Sequence, residues 1–341
     1  GKGIIMGPNN YLARSWQGAP IFITVEGANI LSRNLMIFGQ GAIRCHPYVL
    51  KEMALAERED KDQAQVEFDS LLMSHIGFAV SNAASSLLLG LTLNRLGTVP
   101  GDDLSQPYYR ALNRLAAAFA LCADSSMMLL GGDLKRRERL SARLGDVLSY
   151  LYLGSAALKR YHDLDYQESV RPLLRWAMEE NLYHAEQALD DLLSNFPNRL
   201  FGCLLKVLVF PLGRRHHGPS DELDAEVAAI IGRQAGDPGL ESVLEGCYRP
   251  QADQDSVGAL QHALNLVQAS QDARKRLQQA LKDGSLQPAP GQDAIEAAIA
   301  AGILDGEQGQ RLQAAEAARR RVIDVDDFAK EELELGIGKV R

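Results

Sequence analysis

The chain has 341 residues, 46% hydrophobic and 23% charged, with a net charge of -8, so a substantial buried core in one or two domains is expected. That acidic balance excludes nucleic acid as the main partner, because phosphate binding needs a basic surface; Arg214-Arg215 and Arg319-Arg320-Arg321 are only local basic clusters. The four cysteines, Cys45, Cys122, Cys203 and Cys247, form no CxxC pair, which predicts reduced thiols in a cytoplasmic protein rather than disulfides or zinc ligands. No apolar run approaches the ~20 residues that a spanning helix needs. Gly1-Lys2-Gly3 opens directly into an apolar stretch without a signal-peptide pattern, and the opening reads as the interior of a longer protein.

Near the start, Ile23-Thr24-Val25-Glu26-Gly27 places a lone carboxylate against a glycine, and an amphipathic stretch begins at once. Glu26 has two roles open to it. It can sit in the first turn of a helix, facing the positive end of the helix dipole. Alternatively, held rigidly in apolar company, it can act as a general base.

Downstream the spacing is helical. Leu72, Ile76, Ala79, Ala83, Leu87 and Leu91 recur at steps of three and four, predicting a helix over 66–96. A Gly/Pro/Asp-rich loop, 97–103, follows. Ser105 is placed to cap a helix with Pro107 in its first turn, ending at Gly131-Gly132. Further helices are predicted over about 135–164 and from Ser169, with Pro172 in the first turn, to about Asn195-Phe196-Pro197. Long helices joined by short loops, without strand alternation, predict an all-α antiparallel bundle with smaller appended helices. After Pro219 the helices shorten, punctuated by Asp237-Pro238-Gly239 and Pro288-Ala289-Pro290-Gly291; 294–301 and 308–322 read as a small hairpin before an acidic tail. The domain boundaries expected are 1–47, 48–218 and 219–341.

Most candidate motifs are weak. Gly1-Lys2-Gly3 has no strand before it, so a generic nucleotide loop is not indicated. Glu180 and His184 share a helix face, but a di-iron bundle needs Glu-x-x-His repeats that are missing here. His216-His217 after Arg214-Arg215 reads as a basic surface turn, because adjacent histidines do not easily share one ion. Met127-Met128 reads as core filling. No metal site is expected, and no Gly-x-Ser-x-Gly, Walker loop or Cys–His nucleophile pattern occurs.

The stretch from Gly3 to Pro47 resembles the end of the catalytic domain of acyl-CoA dehydrogenases. There a glycine-rich turn precedes Glu-Gly and a helix bearing an Arg seven residues after the Glu, as in Gly1-Lys2-Gly3, Glu26-Gly27 and Arg33 here. From Tyr48 to about Leu335 the chain is similar to the extra C-terminal helical domain of the large bacterial long-chain enzymes, notably in Leu140-Ser141-Ala142-Arg143-Leu144-Gly145-Asp146 and Phe210-Pro211-Leu212-Gly213-Arg214-Arg215.

The resemblance implies an FAD-dependent enzyme of β-oxidation whose flavin-binding bulk lies upstream, with Glu26 removing the α-proton of a fatty acyl-CoA thioester. Glu26 and Gly27 would contact the thioester; Ala28, Asn29 and Ile30 would lie along the flavin, and Gly1 and Gly3 near its adenosine part. Val25 stands where an aromatic residue is common, and Ala28 and Ile30 replace the usual Thr and Gln. Electron-transfer flavoprotein is the implied electron acceptor, and a homo-oligomer the implied assembly. The alternative of a different class is a non-catalytic helical scaffold that binds partner proteins or a membrane surface. For 199–217 two roles are open: a buried helix, or an interfacial helix with its arginines on anionic lipid, which would add peripheral contact at the inner membrane to a cytoplasmic location.

Overall fold

Helical spacing of the apolar residues is carried through in a computed structural model that describes residues 11–25, 40–95, 97–233, 236–249 and 255–323. Among these residues there is no strand, and the all-α class expected from the sequence is confirmed. The helices are α1 (Tyr11–Val25), α2 (Gly41–Cys45), α3 (Val49–Glu57), α4 (Lys61–Thr92), α5 (Ser105–Leu130), α6 (Glu138–Asp163), α7 (Arg171–Ser194), α8 (Arg199–Val209), α9 (Asp221–Ile231), α10 (Pro238–Leu244), α11 (Ser256–Ala269), α12 (Gln271–Lys282), α13 (Ala294–Ala300) and α14 (Gly306–Ile323). The described residues up to 232, apart from α1, form one unit, and those from 233 onward are grouped with α1 in another.

The core of the first unit lies between α5, α6, α7 and α8. Leu115, Leu144, Val147, Met178, Leu189 and Leu192 are wholly inaccessible there, and burial of each such side chain is worth about 1.5–3 kcal/mol. Small residues set how closely the helices approach. A Cβ on Gly154 would lie 3.2 Å from Leu112 and 3.4 Å from Met178, and one on Gly202 would lie 2.8 Å from the Leu193 carbonyl oxygen. The backbone of α6 thus runs against α5 and α7, and that of α8 against the end of α7.

The four long helices fall where the periodicity puts them, with two local differences. Ser105 is not the cap of α5. Its hydroxyl accepts from the Asp102 N–H at 2.9 Å while Asp102 Oδ1 accepts from the Ser105 N–H at 2.9 Å, a reciprocal box with the acid as leading partner. In addition, Lys61–Thr92 and Ser105–Lys135 are long and apolar enough to cross a membrane by length and composition. Both intersperse Ala, Gly and Ser among their large apolar residues, which hides this from a search for an unbroken apolar run. The second contributes heavily to the core, whereas α4 buries only Ala64, Ser86 and Gly90.

Pro211 and Gly213 follow α8 and end it as expected, with Gly213 at φ +74°. Leu205, Val209 and Phe210 of this segment are buried, while Leu200, Leu204 and Val207 are exposed. One face of α8 is core; its opposite face is also apolar.

In the second unit, Ala259, Ala263 and Val322 pack α11 on α14, and α12, α13 and α14 enclose Ala273, Ala280, Leu286, Ala298, Leu304 and Leu312. The expected hairpin forms from α13 and α14. Asp237, Asp255 and Asp293 cap α10, α11 and α13, so Asp237-Pro238-Gly239 opens a helix, with proline at a first-turn position that needs no N–H donor.

Candidate functional site

Glu26, Gly27, Ala28, Asn29 and Ile30, with Gly1, Gly3 and Arg33, lie outside the described residues. The last described residue before Glu26 is Val25, at the end of α1. Chemistry-bearing groups brought together by the described residues are different ones, and they gather where α3, α4 and α5 meet.

His46 follows α2 and turns its ring onto the start of α3. Its Nδ1 accepts from the backbone N–H of Tyr48 and of Val49, each at 3.2 Å, doing the work of an N-cap oxygen for donors that have no intrahelical partner. His75 stands on α4, bridging two carboxylates: its Nδ1 lies 2.7 Å from Glu52 Oε1 of α3 and its Nε2 lies 2.9 Å from Asp124 Oδ1 of α5. Tyr48 stacks on the His75 ring at 5.2 Å with an 11° interplanar angle. His46 Nε2 is 3.5 Å from the same Asp124 oxygen, and no hydrogen bond from the described residues satisfies it.

An ionised carboxylate only accepts, so both contacts of His75 are made together when each of its ring nitrogens carries a proton. Burial by itself lowers the pKa of His75, but the hydrogen bonds and charges of Asp124 and Glu52 outweigh it, and the net displacement is upward. His46 moves the other way, lowered chiefly by burial and further by His75, against the pull of Asp124 and Glu52. With Nδ1 accepting two backbone N–H groups, the neutral ring carries its proton on Nε2.

His46, His75 and Asp124 offer three potential ligand atoms within 4.8 Å of one another, and the pair His75–Glu52 has the form of a ligand histidine oriented by a carboxylate. His46 fails the test. With Nδ1 accepting two backbone N–H groups, its Nε2 holds the proton and has no lone pair for an ion. The cluster is a proton-holding hydrogen-bond chain.

A second buried charge cluster joins α5 to α7. Arg114 pairs with the fully inaccessible Glu186, whose other oxygen accepts from the backbone N–H of Arg215 at 2.9 Å and of His216 at 3.0 Å. Arg214 donates to Gln187 Oε1 at 2.7 Å and lies over the Tyr183 ring. Arg215 and His217 are exposed, as in the basic surface turn expected, but a buried carboxylate holds the backbone of the turn. Burial, with Arg114, Arg215 and His217 acting in the same direction, lowers the pKa of His216 despite Glu186. Glu180 and His184 do pair along one face of α7, at 2.9 Å, and His184 stacks on Tyr150.

Two cavities open beside the His75 cluster. One, of about 310 Å³, is lined by Ala42, Cys45, His46, Phe78, Phe119, Met127 and Leu148 among others; the other, of about 270 Å³, by Ala42, Ile43, Val49, Met53, Met127 and Leu134 with Lys135. Neither fits a flavin dinucleotide, whose phosphates and hydroxyls need convergent N–H donors such as a helix N-terminus supplies; these walls are almost wholly apolar.

The sequence motifs point to neither charge cluster, because the partners are dispersed along the chain. One signal was available: His75 is the only ionisable side chain between Ser70 and Asn94. A lone titratable group inside an apolar helix calls for a charged partner from elsewhere.

The family described as acyl-CoA dehydrogenase, C-terminal, bacterial type, matches residues 43–328. No solved structure matches the chain.

Proposed function

Since the chain belongs to the family of bacterial-type C-terminal domains of acyl-CoA dehydrogenases, we propose that it forms the C-terminal part of an FAD-dependent enzyme oxidising fatty acyl-CoA to trans-2-enoyl-CoA in β-oxidation. The observation that carries this reading is an order along one chain: Glu26-Gly27 with Arg33, followed directly by the matched residues.

In this reading Glu26 takes the α-proton of the thioester. That proton is weakly acidic, so charge developing on the carbonyl oxygen needs a hydrogen-bond donor already in place; the backbone N–H of Glu26 would provide one. An apolar chain in the site expels water, which raises the carboxylate's pKa and improves it as a base near neutrality. FAD, when bound, supplies the acceptor for the β-hydride. Its contacts are assigned to upstream residues together with Gly1, Gly3, Ala28, Asn29 and Ile30, in keeping with the apolar cavities of the bundle. Electron-transfer flavoprotein is the proposed electron acceptor. The test is Glu26→Gln in the flavin-loaded enzyme, assayed with an acyl-CoA and an artificial electron acceptor. Turnover is expected to fall about 10²–10⁴-fold or more with acyl-CoA binding retained; wild-type turnover overturns the assignment.

The scaffold alternative has its own support. Val66, Met73, Val80 and Leu88 of α4 are all more than half exposed, and such a face suits a protein partner, including the rest of the enzyme or a second copy. We further propose a cytoplasmic enzyme in peripheral contact with the inner membrane through 199–217. Support comes from the exposed Leu200, Leu204 and Val207 beside Arg199.

A further inference from the structure

We propose that His75 is a proton-dependent clasp that fastens the α2–α3 segment, residues 41–57, to the helical bundle. The geometry is a three-helix bridge. Asp124 on α5 and Glu52 on α3 take the two N–H groups of one imidazolium on α4, at 2.9 and 2.7 Å, and Tyr48 stacks on its face. Among the described residues, the titratable groups facing His75 are Glu52 from α3, His46 and Tyr48 from the turn before α3, and Asp124 from α5.

Apart from Ala42 against the core and the rings of His46 and Tyr48 on Phe78, the bridge is the segment's polar attachment to the bundle. Neither α2 nor α3 buries a single residue completely, so apolar burial, the usual anchor of a surface helix, is small here. The same segment lines both cavities, through Ala42, Cys45, His46, Val49 and Met53. Releasing it would remove that lining.

Loss of the proton undoes the bridge asymmetrically. A neutral imidazole has one N–H and one lone pair, so it keeps one carboxylate and repels the other. Asp124 still faces the His46 Nε2–H, whereas Glu52 has the more accessible side chain, at 16% against 7%. Glu52 is the partner that leaves, carrying α3 into water. The sign follows from the upward displacement of His75: the clasp is fully closed below the unperturbed pKa of about 6.5 and opens as pH rises through the higher value of the folded state. Within that window the opening equilibrium, if it releases one proton, grows about tenfold per pH unit.

The test is amide hydrogen exchange on the full chain from pH 5.5 to 9, with rates corrected for intrinsic exchange, together with ¹⁵N NMR of the His75 ring. Amides in 41–57 should lose protection by up to about tenfold per pH unit above pH ~6.5, while those of α6 and α7 stay unchanged. Both His75 nitrogens should be protonated at pH 6. Glu52→Gln, at the accessible end of the bridge, should bring protection of 41–57 at pH 6 down towards the wild-type value at pH 9. Protection of 41–57 that does not vary with pH in the wild type overturns the clasp. So does a neutral His75 at pH 6, or an unaltered pH dependence in the Glu52 variant.

Discussion

Replacing Glu186 by Gln tests what holds the first unit together beyond its apolar core. The carboxylate is inaccessible and serves three donors: the Arg114 guanidinium through one oxygen, and the N–H groups of Arg215 and His216 through the other. A carboxamide has the same shape but one acceptor oxygen, and its NH2 group must face either Arg114 or the two backbone donors. Arg114, itself only 4% exposed, loses its counter-charge in either case. Breaking a buried pair from one side costs about 3–5 kcal/mol, because the remaining charge stays buried. For a unit of this size that corresponds to a Tm lower by roughly 6–20 °C. Trp176 on α7, whose indole N–H donates to Asp224 Oδ1 at 2.6 Å, reports the unit by fluorescence in urea, with Trp16→Phe removing the other tryptophan. The double variant Arg114→Met/Glu186→Leu separates charge from backbone satisfaction. Were the ion pair alone at stake, two apolar residues would restore stability; the partly buried N–H groups of Arg215 and His216 also lose their acceptor, so the double variant stays below wild type. A loss under ~1 kcal/mol for Glu186→Gln, on the scale of an exposed pair, would refute the reasoning.

Gly202→Ala should destabilise the chain by about 1–2 kcal/mol in the same assay: the new Cβ meets the Leu193 carbonyl oxygen at 2.8 Å and Phe196 Cβ at 3.0 Å, and this crowding exceeds the ~1 kcal/mol that Ala gains in a helix. Equal or greater stability would show that α8 shifts freely. Wild type should float with anionic liposomes at low salt and less at high salt, whereas Leu204→Asp/Val207→Asp, on the outward face of α8, should stay in the soluble fraction with an unchanged Tm. A wild type that never floats ends the membrane proposal.

The bundle was legible because its helices are long and their apolar residues keep helical spacing, a signal that survives the uncertainty of any single position. Their ends were less legible. Gly131-Gly132 marked the end of α5 correctly, but Ser105 gave no hint that Asp102, three residues earlier, leads the cap. The two-sided apolar surface of α8 could not be resolved from composition either. Leu200, Leu204 and Leu205 are equivalent as residue types, and only packing against α7 and α4 makes Leu205 core and leaves the other two in solvent.

For the site the balance is reversed. Glu26-Gly27 is a local motif, readable because the chemistry it implies is concentrated in adjacent residues, and the family match to 43–328 adds its context. The clusters around His75 and Glu186 have no local signature: Glu52, His75 and Asp124 come from three helices. Arg114, Glu186 and the turn at Arg215 meet only after α5, α7 and the chain beyond α8 have packed. Buried charges of this kind are costly unless paired, so each cluster also specifies which helices may be neighbours. His75 illustrates the point. Placed in a solvated helix it would be one more titrating surface group; here its two N–H groups are spent on α3 and α5 at once, and a slip of α4 by one residue would break both bonds together. The same pair of bonds that sets the register of α4 therefore makes the attachment of α3 depend on a single proton.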